Sequence, residues 1–202
     1  MHVLIVATRN THKLSELQQI LGKQLALLIP LDEAFELPPE TGASFAENAL
    51  IKARASRELS QWESIADDSG IEAAALGGQP GVRSARYAGE GATDEQNLSA
   101  LLGELENEED RRVAYVCVIA FVALNGEEHL FEGRCEGTLA REPRGSGGFG
   151  YDPAFVPTDT GPDDPRTMAE LTPEEKHAIS HRGRAARALA QHLSGRPEAH
   201  RS

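Results

Sequence analysis

The sequence predicts an α/β fold built on a mixed β-sheet, and three observations carry that expectation. A short apolar run at the N-terminus ends in polar residues and hands over to an amphipathic helix. Capped helical stretches then alternate with short strands. Later, two long strand-like segments flank Asn125-Gly126, a turn dipeptide that tolerates positive φ.

Taken in order, Val3 to Thr8 reads as a buried strand that delivers a loop. Leu14, Leu17, Ile20 and Leu21 follow at helical spacing, and Gly22 marks the stop. Pro30 to Gly42 carries three prolines and several acids and reads as a connector. Ser44-Phe45-Ala46-Glu47 is a capping box opening an alanine-rich helix to about Leu59. Ser64 to Asp67 is a short strand, and Leu76 to Gly81, with three glycines and a proline, is a loop. Thr93 to Gln96 is a second capping box, ahead of a helix through Leu98, Leu101 and Leu102. Val113 to Leu124 and Glu128 to Leu139 form the expected hairpin. Glu142 to Gly150 is a glycine-rich loop, and Asp159 to Arg166 a polar excursion. Thr172 caps a short helix with Pro173 at its first position, and Ser180 caps a final helix carrying Ala185, Leu189 and Leu193.

The chain of 202 residues suits one domain, residues 1–195, with 196–202 expected as a disordered tail. A net charge of -12 argues against a broad nucleic-acid surface, which needs a basic patch, but not against a small anionic ligand. The acidic run Glu104 to Asp110 reads as a solvated face. The N-terminal apolar run is too short for a signal peptide, and no run approaches the ~20 residues of a membrane helix. A cytoplasmic protein without a membrane partner is expected. Cys117 and Cys135 fall in the two hairpin strands. A two-residue turn sets Cys117 opposite Arg134 and points the cysteines to opposite faces, so free, half-buried thiols are expected.

Three constellations carry chemistry. Thr8, Asn10 and Lys13 lie where a strand meets a helix N-terminus, a setting in which free N–H groups and a mobile ammonium suit a triphosphate tail. Asn10 or Thr11 as a plain N-cap is the competing reading. Asp67-Asp68-Ser69-Gly70 supplies paired carboxylates, of which an extended chain turns only one toward a given side. With Glu40 on a loop they suit Mg²⁺, which takes hard oxygen ligands and keeps water; an acidic turn is the alternative. Phe149, Gly150 and Tyr151 offer aromatic faces on a glycine-freed backbone, and His181 and Arg182 offer donors to a purine. Core packing is the alternative for the aromatics, and a capping or core role for His181.

Together these motifs resemble the inosine triphosphatase family, the pyrophosphatases of non-standard purine nucleoside triphosphates, nearest its bacterial dITP/XTP branch. The resemblance runs from Val3 to about Leu189 through Ala7-Thr8-x-Asn10-x-x-Lys13, Glu40-Thr41-Gly42, Phe45-x-Glu47-Asn48-Ala49 and Lys52-Ala53. It continues through Ala66 to Gly70, Ala75 to Gly89, Pro143 to Pro153, Thr167 to Leu171, Glu175-Lys176 and Ile179 to Gly183. It implies a long, twisted mixed β-sheet with flanking helices forming two lobes around a central cleft, as a homodimer. It also implies Mg-dependent hydrolysis of dITP, ITP, XTP and dXTP to monophosphate and pyrophosphate, which cleanses the nucleotide pool. Thr8, Arg9, Asn10, Thr11, His12, Lys13 and Lys52 then face the triphosphate. Glu40 and Asp68 hold Mg²⁺, with Asp68 the general base. Ser69, Phe149, Gly150, Tyr151, Asp152, Lys176, His181 and Arg182 contact the nucleotide. Arg9 stands where many relatives carry glycine, so it either adds a phosphate contact or points outward. His177 replaces a common asparagine and is given no role. A pyrophosphatase for other nucleotides, a non-catalytic nucleotide sensor and, least favoured by charge, a nucleic-acid module remain as alternatives.

Overall fold

A computed structural model describes residues 2–196. Six strands form one sheet: β1 (His2–Val6), β2 (Ala26–Pro30), β3 (Ser64–Ala73), β4 (Arg112–Val122), β5 (Glu128–Leu139) and β6 (Phe155–Pro157). Their order is β2-β1-β3-β4-β5-β6. β1 runs parallel to β2 and β3, whereas β5 and β6 are antiparallel, so the sheet is mixed, as expected. Five helices accompany it: α1 (Thr11–Leu25), α2 (Phe45–Ser60), α3 (Asp94–Glu104), α4 (Pro173–Ile179) and α5 (His181–Ser194). None among the described residues is long and apolar enough to cross a membrane.

The chain divides into two units, each with its own core. Unit 1 comprises residues 1–68, 117–133 and 182–202; unit 2 comprises 69–116 and 134–181. In unit 1, Leu17 and Leu21 of α1, Leu4 and Val6 of β1, Ile65 of β3, and Ile119 and Phe121 of β4 pack with Ala185, Ala186, Leu189 and Leu193 of α5. Those α5 positions recur at helical spacing, so one stripe of the helix is fully buried. In unit 2, Ile71, Leu98, Leu101, Leu105, Tyr115, Tyr151, Phe155 and Met168 form the second core. Within β5, Gly133, Cys135, Gly137 and Leu139 are buried and their neighbours exposed or half-buried, the alternation of a strand with one solvated face. β4 is buried almost throughout, as a strand covered on both sides.

Local chemistry explains where the elements begin. Asn10 caps α1, Ser44 caps α2 and Thr93 caps α3, each accepting N–H bonds of the first turn. Around Ser44, Glu47 reaches back to the N–H of Ala43 rather than of Ser44. Gly22 leaves helical geometry at φ 67, where the sequence places the end of α1. Two strands escaped the sequence reading, β2 and β6; both are short and lack alternation. β3 also runs beyond the expected Asp67 end to Ala73.

The hairpin differs from its sequence reading. Ala123 N–H donates to the Glu127 carbonyl and Gly126 N–H to the Ala123 carbonyl, so the turn has three residues, not two. Leu139 N–H donates to the Arg111 carbonyl in the same register, which places odd-numbered residues of both strands on one face. The cysteines therefore do not point to opposite faces. Both are free and buried, Cys117 in the unit 1 core and Cys135 in that of unit 2. Of the expected C-terminal tail, only Arg196 is described, with its Nη2 3.3 Å from Glu63 Oε1; the rest lies outside the described residues. Because Leu189 is fully buried, Leu189→Ala should cost about 2–5 kcal/mol in urea unfolding, and a loss near zero would show that α5 is not integral to the unit 1 core.

Candidate active site

Both Asp67 and Asp68 lie within β3, and the period of two of a strand separates their side chains. Asp67 meets the side chains of α1 and α5. Its Oδ2 accepts from Nε and Nη2 of Arg182 at 3.2 and 3.0 Å, and Lys13 Nζ lies 3.3 Å from the same oxygen. Arg182 Nη1 in turn donates to Glu16 Oε2 at 2.6 Å. Burial pushes the Asp67 carboxyl up, but Lys13, Arg182 and Lys52 outweigh it and hold the group well below the ordinary carboxylate range. Nearby, burial and then the Asp67 charge push the Cys117 thiol up to about 12, so it is inert at neutral pH.

Asp68 faces α2. Asn48 Nδ2 donates to its Oδ2 at 3.0 Å, and Lys52 Nζ sits 3.8 Å from its Oδ1. Lys52 Nζ also donates to Glu40 Oε1 at 2.5 Å and to the Asp67 carbonyl at 2.8 Å. Burial pushes the Asp68 carboxyl above its ordinary value; Lys52 and Lys13 oppose it, and Glu40 adds to it. Burial lowers the Lys52 ammonium, yet Asp68, Asp67 and Glu40 together hold it above its ordinary value. Asn48 also accepts the Gly42 N–H at 2.8 Å, and a Cβ at Gly42 would lie 2.6 Å from Glu47 Cβ, so this approach of the Glu40 loop to α2 needs glycine.

The donor set fits a hard divalent cation in part. Glu40 and Asp68 converge on one ammonium, which marks a position where both acids meet a cation. No group of three His, Cys, Asp or Glu among the described residues forms a protein-only cage. Two carboxylates with the remaining positions left to water or phosphate is the manner in which proteins hold Mg²⁺.

The loop ahead of α1 is built by its own side chains. Thr8 Oγ1 accepts the Asn10 N–H, and Asn10 Oδ1 accepts from the N–H groups of His12 and Lys13 at 2.9 and 3.1 Å. Asn10 is thus the helix cap, so an anion here must displace that cap or use other donors. Thr11 is exposed at the first position of α1. Arg9 follows neither of its two expected courses: its guanidinium donates to the carbonyls of Leu31, Asp32 and Phe35, pinning the connector after β2.

In unit 2 the side chains expected at the base gather on Asp152. Its carboxylate accepts the Phe149 N–H at 2.9 Å, Lys176 Nζ at 2.7 Å and the Tyr115 hydroxyl at 3.1 Å. The turn is tight: Gly148 has φ 72, and a Cβ there would lie 2.0 Å from Asp152 Oδ2. Lys176 Nζ sits 5.0 Å from the centre of the half-buried Phe149 ring. His181 is buried and stacks on Tyr115, with ring centroids 4.5 Å apart and planes 11° off parallel. Tyr151 is a core residue whose hydroxyl donates to the Ser84 carbonyl, and Gly150 N–H donates to Asp94 at 2.8 Å. Ser69 is half-buried in β3. Arg182, expected to read the purine, has Nε, Nη1 and Nη2 committed to Asp67 and Glu16.

Sequence reasoning quoted Asn48 within the motif Phe45-x-Glu47-Asn48-Ala49 but gave it no role, and it missed Glu16, Tyr115 and Asp94, which reach their partners only through the fold.

The raised Asp68 carboxyl carries a stability consequence. A group that binds its proton more tightly when folded costs stability as pH rises from the ordinary value near ~4 through the folded value. Asp68→Asn should therefore raise the Tm of the free protein at neutral pH, with the gain shrinking toward pH ~4. Thermal melts across that range check it, and a lower Tm for the variant at pH ~7 would show that the Lys52 and Asn48 contacts outweigh the cost of burial.

The family model described as the Ham1 family matches residues 4–192. The dITP/XTP pyrophosphatase of Mycolicibacterium paratuberculosis is 48% identical over 200 residues, covering 96% of each chain. That of Geobacter sulfurreducens is 45% identical over 194 residues, covering 94% of this chain and 96% of its own. The structure of a HAM1 protein from Coxiella burnetii matches with a TM-score of 0.87 at 42% identity, over 97% of this chain and 100% of that one. The Staphylococcus aureus Ham1 protein matches with a TM-score of 0.84 at 39% identity, over 96% and 98%. These matches bear out the resemblance read from the motifs: the chain belongs to the Ham1 family.

Proposed function

We propose that this protein is a Mg-dependent pyrophosphatase that hydrolyses dITP, ITP, XTP and dXTP to the monophosphate and pyrophosphate. The observation that carries the reading is the convergence of Glu40 and Asp68 on one cation position, with Lys13 and Lys52 alongside. Relatives named dITP/XTP pyrophosphatase, matched over nearly their whole length, support the same reaction. The motif resemblance extends the proposal to a homodimer acting in the cytoplasm to keep deaminated purines out of DNA and RNA.

In this mechanism Glu40 and Asp68 would hold Mg²⁺, which when bound would supply neutralisation of phosphate charge and a lowered pKa for the attacking water. Asp68 orients water toward the α-phosphorus and takes its proton. A carboxylate of ordinary pKa ~4 is a weak base at neutral pH, so the metal would have to carry much of the deprotonation. The P–O bond to the β-phosphate breaks, and Lys13 and Lys52 stabilise the charge that develops on the leaving pyrophosphate. Phe149, stiffened by the Asp152 turn and with the Lys176 ammonium over its ring, offers an aromatic surface for the base. The C6 oxygen of hypoxanthine or xanthine is read by His181 or a backbone N–H. An adenine amino group leaves such a donor unpaired, a mismatch worth ~10⁴-fold.

The test is pyrophosphate release with Mg²⁺ from dITP, XTP, dGTP, dATP and dTTP, with Asp68→Asn as control. Fast release from dITP and XTP, lost in the variant, is the expected result. Release mainly from dTTP would transfer the protein to another nucleotide-cleansing activity, and tight binding without release would make it a sensor.

A further inference from the structure

Asp67 has no place in the reaction just described, yet it is the more deeply embedded of the two acids. Its side chain is fully buried, its Oδ2 takes both a fork of Arg182 and the approach of Lys13, and its Oδ1 has no hydrogen-bond partner among the described residues. Its backbone carbonyl receives the Lys52 ammonium. One residue thus touches both lysines assigned to the triphosphate, Lys13 by its side chain and Lys52 by its main chain.

A buried ion pair is poor evidence for stability, because desolvation offsets the attraction and a well-packed apolar replacement often serves as well. The arrangement makes better sense as a means of aiming charge. Lysine carries its charge on a flexible four-carbon stem, and holding it costs rotamer freedom. The planar Arg182 fork, itself anchored by Glu16, fixes the Asp67 carboxylate, and that carboxylate gives the Lys13 ammonium a stationary partner.

Building on the proposed triphosphatase reading, we propose that Asp67 is a positioning residue that acts through Lys13, setting its ammonium to receive the pyrophosphate part of the substrate. Arg182 and Glu16 extend the same support.

The test is a double-mutant cycle with pyrophosphate and Mg²⁺ as the probe, read by calorimetry, alongside Tm and the kcat and KM for dITP. Lys13→Met should weaken pyrophosphate roughly tenfold or more, the scale of a charge-assisted contact. Asp67→Asn should weaken it by a similar factor in the wild-type background, but by less than about twofold once Lys13 is Met. It should lower kcat for dITP more than it raises KM. Should Asp67→Asn not fold, Arg182→Lys loosens the same carboxylate, and the base-free probe reads its Lys13-dependent effect. Independent, additive losses, or a lower Tm with pyrophosphate affinity unchanged, would make Asp67 merely structural. If Lys13→Met itself binds pyrophosphate as well as wild type, the triphosphate role of Lys13 falls first, and the positioning role with it.

Discussion

Two adjacent carboxylates in one strand impose the constraint that organises unit 1. A strand sends Asp67 and Asp68 opposite ways, both are buried, and a buried carboxylate must be paired or protonated. The fold answers the two demands unequally. Asp67 receives Arg182 from α5 and Lys13 from α1, and its carboxyl is held below the ordinary range. Asp68 receives an amide and a lysine that it shares with Glu40, and its carboxyl is held above it. One acid is held ionised by its cations and ties three elements together. The other has its carboxyl pushed up by burial, the kind of perturbation found at functional sites.

Unit 2 meets a similar problem with a single acid. Asp152 draws a loop N–H, a tyrosine hydroxyl and a lysine onto one carboxylate, so the glycine-rich turn is closed by charge and not by apolar packing. Tyr115 serves twice in that arrangement, through its hydroxyl to Asp152 and through its ring to His181. The glycines that read in the sequence as freedom to approach a ligand are, at Gly148, room for the protein's own carboxylate. The same loop thereby offers Phe149 as a stiff platform.

What the sequence made legible follows from how local each cause is. The α1, α2 and α3 caps, the Thr172-Pro173 helix start and both hairpin strands depend on neighbours a few residues apart, and they stand where expected. The short strands β2 and β6 depend on partners distant in sequence. The turn length at Leu124 to Gly126 changes cysteine orientation by a single residue, which no dipeptide signal resolves. At the site, residue types were legible and their pairings were not. Arg9, Arg182 and Tyr151 look like ligand-facing groups in sequence, but each finds its partner inside the protein. Long side chains with several donors can reach many places, so a motif fixes their presence and leaves their direction to packing.

The charge around Asp67 and Asp68 bears on the metal proposed above. Among the ion pairs described, Lys13, Lys52 and Arg182 face Glu16, Glu40, Asp67 and Asp68. A chain whose net charge is -12 offers no compensating field from a distance. A triphosphate approaching this group meets lysines already neutralised by acids, so the protein's own charge does not draw it in. The proposed divalent cation on Glu40 and Asp68 would add positive charge there and would compete with Lys52 for the two acids it spans. In the proposed mechanism cation and nucleotide would then bind together, and the acids that look unfavourable to an anionic substrate would make its recognition depend on the metal.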